Sequence, residues 1–150
     1  MQAIPEVLDS LDLSGAVISI DAMGTQTNIA EQIIQSEADY ILSLKGNQKH
    51  LYEDVRDGFT GQYTCHRYET LEKDHGRIEK RTYTTLLASE FFDQGEYSQW
   101  LVLRRLIQVE RQGNRIKMSL PLRYGKDRLF LYCPGSSREG TLQAQVERHI

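Results

Sequence analysis

Apolar and polar positions change rhythm twice along the chain. Ile4, Val7, Leu8 and Leu11 recur at helical spacing, with Pro5 suited to a first helical turn and Gly15 closing the segment. Ala16-Val17-Ile18-Ser19-Ile20 is then a short run rich in β-branched residues, the pattern of a buried strand, and Asp21 follows directly. Gly24 breaks that run, Thr25 or Thr27 can cap a helix, and Ile29, Ala30, Ile33 and Ile34 give the helix an apolar stripe. Tyr40-Ile41-Leu42-Ser43-Leu44 reads as a second strand, closed by Lys45-Gly46-Asn47-Gln48, and a third helix is expected from about 48 to 57. Strand, helix and strand make a βαβ unit with two parallel strands.

After Gly61 the pattern becomes β-rich. Strands are expected at 77–87, 100–110 and 115–122, with Gly113-Asn114 as a hairpin turn between the last two. From about 131 no periodicity holds, and Pro134-Gly135-Ser136-Ser137 is a loop signature. The fold class predicted from this pattern is α/β, a βαβ unit followed by a β-rich region.

Charge sharpens the division. The net charge is −3. Residues 1–60 carry ten acids against Lys45, Lys49 and Arg56, whereas 104–128 carry eight Arg or Lys against Glu110 and Asp127. A basic stretch in an acidic chain can contact nucleic acid, or be a solvated strand face. Cys65 and Cys133 form no CxxC pair, so reduced thiols are expected. No apolar run spans a bilayer and the N-terminus lacks a signal-peptide pattern, which places the expected location in the cytoplasm.

Three places can carry chemistry. Asp21 stands at the carboxyl end of a predicted parallel strand, where ligand and metal sites of α/β sheets gather. Its carboxylate suits Mg²⁺ or Mn²⁺, and equally suits a loop or helix cap. Lys45-Gly46-Asn47-Gln48 ends the next strand, as a phosphate-contact candidate or a plain turn. In His75-Gly76-Arg77-Ile78-Glu79-Lys80-Arg81, a strand would put Arg77, Glu79 and Arg81 on one face, suited to phosphate or to a cross-strand ladder of ion pairs. The histidines have no zinc-like spacing with the cysteines.

Taken together, Ala3-Ile4-Pro5-Glu6-Val7-Leu8, Asp21-Ala22-Met23-Gly24-Thr25-Gln26, Lys45-Gly46-Asn47-Gln48 and His75-Gly76-Arg77-x-Glu79-x-Arg81, in that order, resemble the H-repeat-associated transposases, a branch of the insertion-sequence DDE transposases. The resemblance covers roughly residues 3–130. It implies a partial RNase H-like core over 1–60, a β-rich insertion over 61–130, and a divergent tail over 131–150. It also implies metal-dependent DNA cleavage and strand transfer, with two aspartates and a glutamate holding Mg²⁺ or Mn²⁺. Asp21 matches the second aspartate. The "DGK" block of the first and the "HWxxENxLHW" block of the glutamate have no counterpart in this sequence. The chain is therefore expected to be an inactive fragment, its tail the product of a frameshift after about residue 130. Glu79 is a secondary metal candidate, and Lys45, Asn47, Gln48, His75, Arg77 and Arg81 are DNA-phosphate candidates. Expected partners are insertion-element DNA and an intact transposase. The alternative is a DNA-binding or transposase-pairing, inhibitory protein without catalysis.

Overall fold

The computed structural model describes residues 3–61, 63, 65–74, 77–92, 97, 99–100, 103–115 and 128–133. In chain order the elements are α1 (Ala3–Asp9), β1 (Val17–Ile20), α2 (Thr27–Gln35), β2 (Asp39–Leu44), α3 (Lys49–Gly58), β3 (Cys65–Asp74), β4 (Arg77–Leu87), α4 (Ala88–Phe91), β5 (Arg105–Arg115) and β6 (Arg128–Cys133). The six strands among the described residues form one mixed sheet in the order β1-β2-β6-β5-β4-β3. β1 and β2 are parallel, with Ile20 beside Leu42, and every other pairing is antiparallel. The protein is thus α/β, with the expected βαβ unit at one side of the sheet and antiparallel strands at the other.

β2 shows why the helical half folds. All six of its residues are buried, as expected for a strand covered on both faces. Tyr40, Leu42 and Leu44 point to the larger core with Ile29 and Ile33 of α2, Leu51 and Val55 of α3, and Leu106 and Leu131 of the antiparallel strands. Ile41 points the other way, into a smaller core with Tyr83, Ile107, Val109 and Phe130. There the Tyr68 and Tyr83 rings stack, centroids 4.6 Å apart and planes within 5°.

Several expectations are corrected. Gly113-Asn114 is no hairpin turn: both residues lie inside β5, paired with Glu79 and Ile78 of β4. A turn dipeptide is a local signal, and an eleven-residue ladder to β4 outweighs it. β5 begins at Arg105 rather than Trp100, because Trp100 sits in a turn with its N–H bonded to the Tyr97 carbonyl. Residues 116–122, of the strand expected at 115–122, lie outside the described residues. β3 is a strand the pattern did not reveal. Its His66, Arg67, Glu69, Glu72 and Lys73 put charge on both faces, the composition of an edge strand without an apolar stripe. β6 carries strand structure through Leu131, Tyr132 and Cys133, where no regular structure was expected.

The helix ends also differ. α1 stops at Asp9, and Val7 and Leu11 are both 55% exposed, so only Leu8 and the partly buried Ile4 of the expected stripe face the core. Gly15 lies beyond it at φ 71°, a left-handed conformation that suits glycine, and its N–H bonds to the Glu37 carbonyl at 3.0 Å. α2 starts at Thr27 with Gln26 at its cap and no side-chain cap bond. The sequence divisions at 60 and 130 fall in the turn after α3 and inside β6.

Candidate metal and phosphate site

Two loops meet at the carboxyl ends of the parallel strands. The loop after β1 is a single 3₁₀ turn, Ala22–Gly24, and the loop after β2 is another, Gly46–Gln48. Asp21 starts the first: its Oδ1 accepts the Ala22 N–H at 2.7 Å, so the capping role open from the sequence is realised. The same oxygen lies 3.2 Å from Lys45 Nζ, an ion pair in which Asp21 is 74% and Lys45 58% exposed. Asn47 Nδ2 donates to the Ala22 carbonyl and Gln48 Nε2 to the Thr25 carbonyl at 3.2 Å. Thr25, fully buried, donates its hydroxyl to the Ser43 carbonyl at 2.7 Å. The loops are therefore fastened to each other by side chains from both, while Asp21 and Lys45 stay open to solvent.

Gly24 makes the close approach possible. A Cβ there would come within 2.5 Å of Ile20 Cγ2 and 2.7 Å of Ile4 Cδ1. The first atom is on a β-branched side chain that cannot swing away freely.

An exposed pair contributes little to stability, because water screens it and both side chains lose freedom. Lys45→Ala is expected to change unfolding free energy by less than about 1 kcal/mol. A urea melt giving a loss above that would show that Lys45 holds the loops together.

The third cluster lies elsewhere. Four ladder steps separate β1 from β4, roughly 19 Å across the sheet at ordinary strand spacing. Glu79 is thus not brought to Asp21. Its Oε1 accepts from Arg81 Nε at 2.6 Å, and Arg81 Nη2 lies 3.6 Å from Glu72. The Glu79 hydrogen bond is the main cause holding the Arg81 guanidinium above its usual pKa, with Glu72 adding to it. On the opposite face Lys80 Nζ sits 2.9 Å from Glu69, and this hydrogen bond is the main cause lowering the Glu69 carboxyl. The cross-strand ladder open from the sequence is what these residues form. His75 lies outside the described residues, as does the side chain of Arg77, whose backbone opens β4.

Among the described residues, no group of three or more His, Cys, Asp or Glu is placed to hold a metal ion. Nor is any described helix long and apolar enough to cross a membrane.

The two loops that meet here are the segments on which the family resemblance chiefly rested, and comparison with known proteins agrees. The H repeat-associated putative transposase YbfD of Escherichia coli (strain K12) is 41% identical over 83 residues, 53% of this chain and 33% of its own length. The chain is similar to the H repeat-associated putative transposases. Another relative, "Putative transposase YncI" of Escherichia coli O157:H7, is 38% identical over 108 residues, 69% of this chain and 27% of its own length. An uncharacterized protein in the dhlA 3' region of Xanthobacter autotrophicus is 42% identical over 111 residues, 72% of this chain and 37% of its own length. The alignments thus span about a third of these relatives or less. No protein-family model and no solved structure matches the chain.

In this chain, sequence reasoning singled out Asp21, Lys45, Asn47 and Gln48, and the fold gathers all four. It missed what Thr25 and Gly24 do. Thr25 was weighed as a helix cap because its true partner, the Ser43 carbonyl, lies 18 residues away. Gly24 was read as a strand breaker, and only the packing of Ile4 and Ile20 reveals the steric demand.

Proposed function

We propose that the chain is part of a DDE-type transposase, acting in DNA transposition, in which Asp21 is one of the metal-holding acids at the end of an RNase H-like parallel strand pair. One observation carries the reading: an exposed carboxylate at the end of β1 stands beside an exposed ammonium from the end of β2, on loops fastened together by Asn47, Gln48 and Thr25. The transposase names of the relatives support it.

The donor chemistry fits one ligand position. The Asp21 carboxylate is a hard oxygen donor, exposed and rigidly based, as Mg²⁺ or Mn²⁺ prefers. A divalent ion so held supplies Lewis acidity that activates an attacking oxygen and steadies the leaving one in phosphodiester chemistry. Lys45 shares the Asp21 oxygen, and a cation held there would compete with its ammonium, which would then be available to a DNA phosphate. Arg77, Arg81 and His75 are further phosphate candidates on the β-rich side. Two-metal phosphoryl transfer takes carboxylates from more than one element. Among the described residues, the constellation around Asp21 is therefore part of a catalytic site, and the purified chain is expected to leave DNA uncut.

Mn²⁺ titration followed by amide NMR line broadening tests this. At about millimolar Mn²⁺, broadening is expected to centre on Asp21–Thr25 and Lys45–Gln48 and to vanish in Asp21→Asn. Equal broadening in the variant would sink the metal role. Strand cleavage by the purified chain that disappears in Asp21→Ala would overturn the incomplete-site reading.

A second reading, DNA binding without catalysis, draws on β4 and β5, where Arg81 lies directly opposite Arg111. Glu79 and Glu72 already share the Arg81 charge, so in this reading a DNA phosphate adds to those contacts. DNA affinity that falls steeply with salt and survives Asp21→Ala would favour this reading.

A further inference from the structure

Away from the Asp21 loops, the end of α3 together with Tyr63, Phe91, Phe92 and Tyr97 lines a pocket of about 440 Å³, open to solvent among the described residues and within the range of small-ligand sites. Tyr63, Phe91, Phe92 and Tyr97 form its aromatic side, and Asp54 and Asp57 its acidic side. Tyr63 and Phe91 meet edge to face, 5.3 Å between centroids and 83° between planes. Phe91–Phe92 and Phe92–Tyr97 continue the chain of rings at 4.7 and 4.8 Å. The rings therefore stand at angles to one another, as walls rather than as a flat stack.

The packing is built into the sequence. A Cβ on Gly58 would lie 2.5 Å from Phe91 Cε2, and one on Gly61 2.9 Å from Tyr63 Cε2. Any larger residue at either position pushes a ring out of its place. Asp54 and Asp57, three apart on α3, lie on one side of the helix. Tyr97 donates its hydroxyl to Asp54. Arg56 Nε and Nη2 donate to Asp57 Oδ1 at 3.0 and 2.9 Å, so one of the two carboxylates already receives a guanidinium.

Ring faces and carboxylates both attract a cation, and the carboxyl end of α3 adds partial negative charge. None of the described residues lining the pocket is basic. We propose that this pocket binds an organic cation: the guanidinium or ammonium of an Arg or Lys side chain presented by another protein. Because the pocket is open to solvent, a side chain delivered on a polypeptide reaches it without any movement of the fold. With Arg56 on Asp57, the Asp54 carboxylate and the helix end keep the pocket unfavourable to phosphate, so the site is separate from any nucleic-acid surface and does not depend on the transposase reading.

The test is titration of the full chain with a short peptide of Gly and Ser around one Arg, read by the aromatic NMR shifts of Phe91 and Tyr63. Saturable shifts are expected, with affinity at least about fivefold weaker in Asp54→Asn/Asp57→Asn and in the single variant Asp57→Asn about twofold weaker. Circular dichroism confirms that each variant is folded. Should the double variant unfold, the single one decides. A peptide with citrulline, the neutral isostere of Arg, is expected not to bind. Equal binding of the citrulline peptide, affinity unchanged in the variants, or no saturation overturns the proposal. So does a single-stranded oligonucleotide that saturates the same shifts. Free arginine amide binding as tightly as the peptide overturns the assignment to a protein partner.

Discussion

Leu42→Ala is expected to destabilise the protein by about 3–4 kcal/mol, the largest effect of any single truncation considered. Leu42 is fully buried at the centre of β2, beside Ile20 of β1 and Leu131 of β6. Its side chain enters the core that joins α2 and α3 to the sheet. Strands on both sides and helices above hold the surrounding atoms, so a cavity there collapses poorly and the loss includes more than the transferred methylenes. That loss is a large share of the total for a domain of this size. Urea unfolding checks it through a fall in midpoint with the slope unchanged. A loss below about 1 kcal/mol would show that β2 is not central to the fold.

Thr25→Val carries the second largest expected effect, about 2 kcal/mol, with almost no change of shape. The Thr25 hydroxyl is buried and donates to the Ser43 carbonyl at 2.7 Å, near the end of β2 and two residues before Lys45. Valine fills the same volume but leaves that carbonyl without its donor in a place water does not reach, which is why an isosteric change is costly. Since Gln48 donates to the Thr25 carbonyl, the variant also loosens the clasp between the loops. Amide hydrogen exchange is expected to speed up over Ala22–Thr25 and Gly46–Gln48 beyond the global loss of stability. Unchanged exchange in those loops, with stability within about 0.5 kcal/mol of the parent, would remove Thr25 from the clasp.

The legibility of this chain follows from the range of each interaction. The βαβ unit was readable because α2 and β2 carry their own patterns: an apolar stripe at Ile29, Ala30 and Ile33, and a mostly apolar run at 40–44. The candidate site was readable because Asp21 and Lys45 each end such a strand. β3 was not readable, since a strand whose residues are charged on both faces has no local signature and exists because β4 pairs with it along ten residues. Likewise Gly113-Asn114 reads as a turn until the register with Ile78 and Glu79 is known.

The amino-acid order alone determined the α/β class, the parallel strand pair and the acid at its end, because periodicity and strand ends are properties of neighbouring residues. Only the tertiary structure decided that β6 lies between β2 and β5, that Glu79 answers to Arg81 and not to Asp21, and that Asn47 and Gln48 hold the loop of Ala22–Thr25. Those outcomes depend on which strands share a ladder and which carbonyls remain unpaired after folding, and neither is written in any local stretch of the chain.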